Sequence, residues 1–210
     1  MIRRSITVNG SVTIVMSDPS GTLSPFTPID ENQINNDPFG VVGIHANLIT
    51  KKIHVKLAKQ FKKEKYETVA NYLQSVKKKI NPDFMGIETN NRGKDILKLF
   101  ESRYSLPLHA VTTSSHLTEN TRSKGFAMDK PFMINWFVEE KQKHNILFSP
   151  KPSKDMQTLI DQIPQIVSLK TLSGLTTHKA QRGRHDDLFM ALLLCCHIAL
   201  MYMNRYEMLK

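Results

Sequence analysis

The spacing of apolar residues changes along this chain, and each change marks an element. Residues 11–17 (SVTIVMS) are rich in β-branched side chains and run into Asp18-Pro19-Ser20-Gly21, a turn cluster that predicts a strand ending at Asp18. The stretch from there to Asp37-Pro38 is rich in Pro, Asn, Asp, Thr and Ser, lacks a period, and reads as a surface excursion. Residues 41–49 and 53–61 flank Thr50-Lys51-Lys52. In the second run Ile53, Val55 and Leu57 alternate with His54, Lys56 and Ala58, which predicts a hairpin with one wet face. Tyr66, Val69, Ala70, Leu73, Val76 and Ile80 recur at helical spacing until Asn81-Pro82 stops them. A short strand over 84–88, a helix over 95–104 with Ile96, Leu97, Leu99 and Phe100 inward, and a short strand over 108–111 follow. Residues 112–124 are polar and basic and read as a loop near the working edge. Pro131 introduces a helix over 132–143, with Phe132, Trp136 and Phe137 expected in the core. Residues 146–148 are strand-like, Ser153 is placed to cap a helix carrying Met156, Leu159, Ile160 and Ile163, and 167–177 can supply further strands. Residues 188–203 are apolar except for His197. The run falls short of the roughly 18 residues expected of a membrane span and reads as a buried helix.

This order predicts an α/β fold: a hairpin beside a right-handed βαβ crossover gives a mixed β-sheet with helices on both faces. No repeat or linker interrupts it, and at 210 residues a single domain over 1–210 is expected. Lys and Arg outnumber Asp and Glu by 29 to 19, for a net charge of +10, which favours a polyanionic partner, nucleic acid first. The two cysteines, Cys195 and Cys196, are adjacent and apolar in setting, so they form neither a zinc motif nor a disulfide framework and suit a reducing compartment. Arg3 and Arg4 are followed by no apolar run, so no secretory signal is expected and the protein is read as cytosolic.

Candidate chemistry lies in the acids at element ends. Asp18 ends the first strand, and Glu88 ends the strand after the first helix, just before Thr89-Asn90-Asn91-Arg92-Gly93. If those strands are parallel neighbours, both carboxylates reach one crevice at the carboxyl ends of the sheet. Asp186 and Asp187 open the long apolar helix, whose N-terminus can bring a third carboxylate to the same point. Successive helical residues face differently, so one of the pair is expected inward as a ligand while the other caps the helix or holds a second metal weakly. Converging carboxylates repel unless a cation sits among them. Mg²⁺ or Mn²⁺ prefers oxygen donors, and two such ions about 3.5 to 4 Å apart can activate a water and stabilise the leaving oxygen at a phosphodiester.

These residues resemble the nuclease domain of the large terminase subunits that package viral DNA, a branch of the ribonuclease H-like superfamily. The likeness spans nearly the whole chain. It is carried by the strand into Asp18-Pro19-Ser20-Gly21, by Ile87-Glu88-Thr89-Asn90-Asn91-Arg92-Gly93, and most specifically by Gly183-Arg184-His185-Asp186-Asp187-Leu188-Phe189-Met190-Ala191-Leu192. The resemblance implies a two-metal endonuclease that cuts concatemeric double-stranded DNA into genome lengths, with Asp18, Glu88 and Asp187 or Asp186 as metal ligands. Asn90, Asn91 and Gly93 would shape the turn presenting Glu88. It also implies a terminase ATPase motor, a portal and a small terminase subunit as partners, and the host cytoplasm as the place of action. The chain has no G-x-x-x-x-G-K-[ST] phosphate loop, so the motor must come from elsewhere, with an excised domain and a stand-alone relative both open. A junction resolvase or ribonuclease of the same superfamily, or a catalytically silent DNA-binding module, remains an alternative.

For DNA contact the sequence offers Lys51 and Lys52 at the hairpin tip, Arg122 and Lys124 in the polar loop, and Lys179, Arg182 and Arg184 beside the acid pair. Lys56, Lys59, Lys62, Lys63 and Lys65 extend the first group, whereas Lys77, Lys78 and Lys79 match the dipole at a helix C-terminus. His185, Asp30 and Asp37 are weaker candidates for the site.

Overall fold

The computed structural model describes residues 10–19, 38–90, 92–114, 126–170, 176–180 and 186–208, with 166–170 and 176–180 described by backbone alone. In chain order the strands are β1 (Ser11–Pro19), β2 (Phe39–Asn47), β3 (Ile53–Phe61), β4 (Phe84–Glu88), β5 (His109–Ser114), β6 (Phe126–Asp129), β7 (Ile146–Leu147), β8 (Ile166–Lys170) and β9 (Thr176–Ala180). The helices are α1 (Tyr66–Ile80), α2 (Gly93–Tyr104), α3 (Lys130–Gln142), α4 (Lys154–Gln162) and α5 (Asp187–Glu207). Seven strands form one mixed sheet in the order β6-β5-β4-β1-β2-β3-β7, with β1 at its centre, and β8 and β9 pair separately. β1 runs antiparallel to β2 and parallel to β4, which is itself parallel to β5.

The alternation of β1 divides the core. Val12, Ile14 and Met16 point to one face, where they meet α3, α4 and α5, while Val15 points to the other, beneath α1 and α2. The expected α/β sheet with helices on both faces is therefore what forms. α5 lies over β1 and β2, and its Cys195 thiol donates to the carbonyl of Val42 at 3.3 Å. Both cysteines are free and buried, and burial pushes both thiols up, so they act as small apolar core residues. By length and hydropathy α5 would pass for a membrane span, yet 78% of its apolar window is buried inside the protein, as in a central core helix.

Several elements depart from the periodicity. The hairpin forms, but its register shifts at Gly43/Ile44, where Lys56 is the unpaired extra residue of a β-bulge. Beyond the bulge the faces exchange: Ala58 enters the α5-side core, whereas Leu57, expected to share a face with Val55, packs on the α1 side. Residues 112–114, expected in a loop, continue β5 because they pair with β6, a four-residue strand too short to show a period. Asp129 then accepts from the Phe132 N–H and starts α3 earlier than Pro131 alone suggested. Phe132 is 55% exposed on the outer side of that first turn, so it is not a core residue; Phe137 is fully buried and Trp136 partly so. The stripe of α1 holds through Val76, while Ile80, next to the left-handed cap at Asn81, is exposed.

Candidate active site

The parallel pairing of β1 with β4 reaches Ser17 and Ile87, so Asp18 and Glu88 stand one step further on, side by side. Asp18 is also the register partner of Gly40 in β2, and Gly40 that of Gln60 in β3. Alternation puts all four on the α5 side of the sheet. Glu88, Asp18, Gly40 and Gln60 thus form a row across four adjacent strands, with a gap at the glycine.

The start of α5 fills that gap. A Cβ on Gly40 would stand 2.6 Å from the Asp187 carbonyl oxygen and 2.9 Å from the Leu188 nitrogen, so only glycine lets the helix come down here. Asp187 is 1% exposed and its Oδ2 accepts from Gln60 Nε2 at 3.0 Å. The adjacent pair is resolved: Asp187 faces inward, and Asp186 turns outward to Lys130, with Oδ2 at 3.6 Å from Nζ. Of the two roles expected for the outer acid, capping the helix or holding a second metal weakly, side-chain capping is not made, because Asp186 forms no such bond. Gln162, at the end of α4, does so instead, its Oε1 accepting from the Phe189 N–H at 3.0 Å.

Glu88 is held by its neighbours on β5 and in the turn after β4. Its Oε1 accepts from the Thr113 hydroxyl and, at 3.2 Å, from Asn90 Nδ2, which also donates to the Thr113 carbonyl at 2.8 Å. The turn closes through Gly93 N–H to the Asn90 carbonyl at 2.9 Å, and a Cβ at Gly93 would collide with the Glu88 carbonyl. Asn90 and Gly93 therefore shape this turn as expected; Asn91 lies outside the described residues.

Burial, at 5% exposure, pushes the Asp18 carboxyl well above the usual carboxylate range, and the charge of Glu88, a hydrogen bond shared with Glu88, and the charges of Asp187 and Asp186 push it the same way. The donor set is oxygen-rich and largely desolvated, which suits a hard divalent cation. As the side chains lie, the Asp18 carboxyl stands against Glu88, and Asp187 accepts from Gln60. No group of three or more His, Cys, Asp or Glu among the described residues stands close enough to enclose a metal.

The basic candidates divide by position. Lys51 and Lys52 follow β2, at the end of the sheet where Asn47 pairs with Ser11. That is seven residues from Asp18 along β1, about 23 Å at the usual strand rise, and Lys51 pairs with Glu207 at 2.6 Å. The structure does not bring them to the acids. Lys59 pairs with Asp155 at 3.2 Å. Lys62, Lys63 and Lys65 do follow β3 at the acid end, where Phe61 pairs with Phe39 and Phe39 with Pro19. Lys130 is a basic neighbour that the sequence reading overlooked, as were Gln60, Gly40, Thr113 and Gln162. Arg122, Lys124, Arg182, Arg184, His185, Asp30 and Asp37 lie outside the described residues, as does the side chain of Lys179 on β9.

The mixed sheet, with its central strand antiparallel to one neighbour and parallel to the other, has the ribonuclease H-like fold of the solved structures it matches. Three solved structures show how far the likeness in fold extends. The chain is similar to the nuclease domain of the large terminase subunit gp2 of bacterial virus Sf6, at 13% identity over 90% of each chain with a TM-score of 0.62. A calcium-containing mutant form of the Sf6 protein superposes at 0.62 with 13% identity, covering 89% of this chain and 88% of that one. The large terminase nuclease from thermophilic phage G20c with bound magnesium gives 0.57 and 13% identity, covering 89% and 80%. No protein-family model and no curated protein matches the chain.

Proposed function

We propose that this chain is a divalent-metal-dependent DNA endonuclease that cuts concatemeric double-stranded viral DNA into genome lengths during packaging. The observation that carries the proposal is the convergence of Asp18, Glu88 and Asp187 at one edge of this particular fold. Similar domains contain magnesium or calcium, which supports a cation here. Asp18, Glu88 and Asp187 are the groups that would hold it, with Asp186 at the rim. A pair of Mg²⁺ or Mn²⁺ ions would supply an activated water and charge stabilisation at the scissile phosphate. The chain's own residues do the rest. Thr113 and Asn90 fix the direction of Glu88, Gly40 admits Asp187 to the row, and Lys130 with Lys62, Lys63 and Lys65 provides positive charge for the backbone approaching that edge. A terminase ATPase motor, a portal and a small terminase subunit would be the partners, in the host cytoplasm.

A catalytically silent DNA-binding module is the second reading, favoured by one observation: among the described residues no three carboxylates stand close enough together to enclose a metal. Plasmid cleavage with Mn²⁺ separates the two. For the endonuclease, wild type cuts, EDTA stops it, and Asp18→Asn, Glu88→Gln and Asp187→Asn each lose about a hundredfold or more, since metal catalysis supplies several kcal/mol of transition-state stabilisation. Asp186→Asn loses far less. Duplex binding without cleavage under either metal would select the silent module.

A further inference from the structure

The buried amide on β3 is not accounted for by packing. Gln60 lies beyond the bulge at Lys56, without which the strand's alternation would aim it away from α5. It is 9% exposed, stands in the same cross-strand row as Asp18 and Gly40, and its one described polar contact is the 3.0 Å bond to Asp187 Oδ2. A buried carboxylate is costly to desolvate, and the strongest way to hold one is a lysine or arginine. This row holds a neutral amide there, and Lys59, next along the strand and so on its other face, pairs with Asp155. An ammonium at position 60 would cancel a charge in the set and compete with any metal. An amide fixes one oxygen of Asp187 and leaves the negative charge in place.

We propose that Gln60 is a positioning residue for Asp187, orienting it by a neutral hydrogen bond so that the carboxylate's charge stays available to a divalent cation. The proposal rests on the metal-dependent reading above. Partners that orient metal-ligating groups matter about ten- to a hundredfold in metal affinity, which sets the size of the effect sought.

The test is calorimetric titration of the full chain with Mn²⁺, together with thermal unfolding with and without Mn²⁺, for wild type, Gln60→Leu and Gln60→Lys. Gln60→Leu should weaken Mn²⁺ binding about ten- to a hundredfold. Gln60→Lys should keep or raise the metal-free Tm, because its ammonium meets Asp187, and should lose the Mn²⁺-dependent rise. Gln60→Lys keeps the question open to refutation even where Gln60→Leu fails to fold. Either folded variant binding Mn²⁺ like wild type would assign Gln60 a packing role alone and overturn the inference. Wild type that neither binds Mn²⁺ nor cuts DNA would overturn it by a different route, through the metal-dependent reading itself.

Discussion

Asp18 is bounded by Glu88 beside it on β4 and by Asp187 descending from α5, and Asp18 and Asp187 are both buried from water. Its carboxyl is raised, so the folded protein holds that proton more tightly than the unfolded chain does. The stability this supplies is complete below the ordinary aspartate value and is lost as pH rises through the folded value. In EDTA, the Tm of the wild type should therefore decline as pH is raised above the ordinary aspartate range. Asp18→Asn should flatten the decline and match or exceed wild-type stability at neutral pH, and Mn²⁺ should reverse the decline in wild type alone. Calorimetry across pH checks this; parallel profiles for the two proteins would mean that the strain lies elsewhere. Asp186 and Asp187 differ for a reason visible only in space. They are adjacent in sequence, but one packs on Gly40 and meets Gln60, while the other is drawn out by Lys130.

At the scale of elements, the start of α5 must reach the sheet and keep its free N–H groups satisfied. Gly40→Ala forces a Cβ into the backbone of Asp187 and Leu188, and overpacking of this kind costs about 1–3 kcal/mol. It should also weaken Mn²⁺ binding, as Asp187 is pushed off its row. Gln162→Ala removes the cap on the Phe189 N–H and should cost about 1 kcal/mol, the usual worth of a cap, without changing metal affinity. Urea unfolding with Mn²⁺ titration separates the two effects. The same elements show what the sequence could reveal. Asp18 and Glu88 were legible because a strand's end is marked locally, by Asp-Pro-Ser-Gly in one case and by Thr-Asn-Asn-Arg-Gly in the other, and the acid pair was legible because an apolar helix begins behind it. Gln60 and Gly40 were not. Their roles depend on a bulge and on cross-strand register, which pairings between distant residues decide. β6 was missed because four residues carry no period and its pairing with β5 alone makes it a strand.

At the scale of the whole molecule, a net charge of +10 says that the chain attracts polyanions but not where one would lie. Topology separates the lysines before and after β3 into two ends. β3 runs antiparallel to β2, so its first residue lies by the hairpin tip with Lys51 and Lys52, and its last leads to Lys62, Lys63 and Lys65 at the acid edge. Lys130 adds a cation beside Asp186. A duplex cut at Asp18 must place its backbone over the second group, and each phosphate contact contributes about 0.9 to the slope of log affinity against log salt. Combined Lys62→Ala, Lys63→Ala and Lys65→Ala substitutions should therefore weaken duplex binding and reduce that slope by up to about 2.7. Lys51→Ala with Lys52→Ala should change it little, since those residues lie at the far end of β1 and one is engaged with Glu207. Fluorescence anisotropy of a labelled duplex over a range of salt, with Asp18→Asn as the non-cutting background, reads both slopes. A larger loss from the Lys51 and Lys52 pair would put the duplex at the opposite end of the sheet from the acids, where no cleavage by Asp18 and Glu88 could occur.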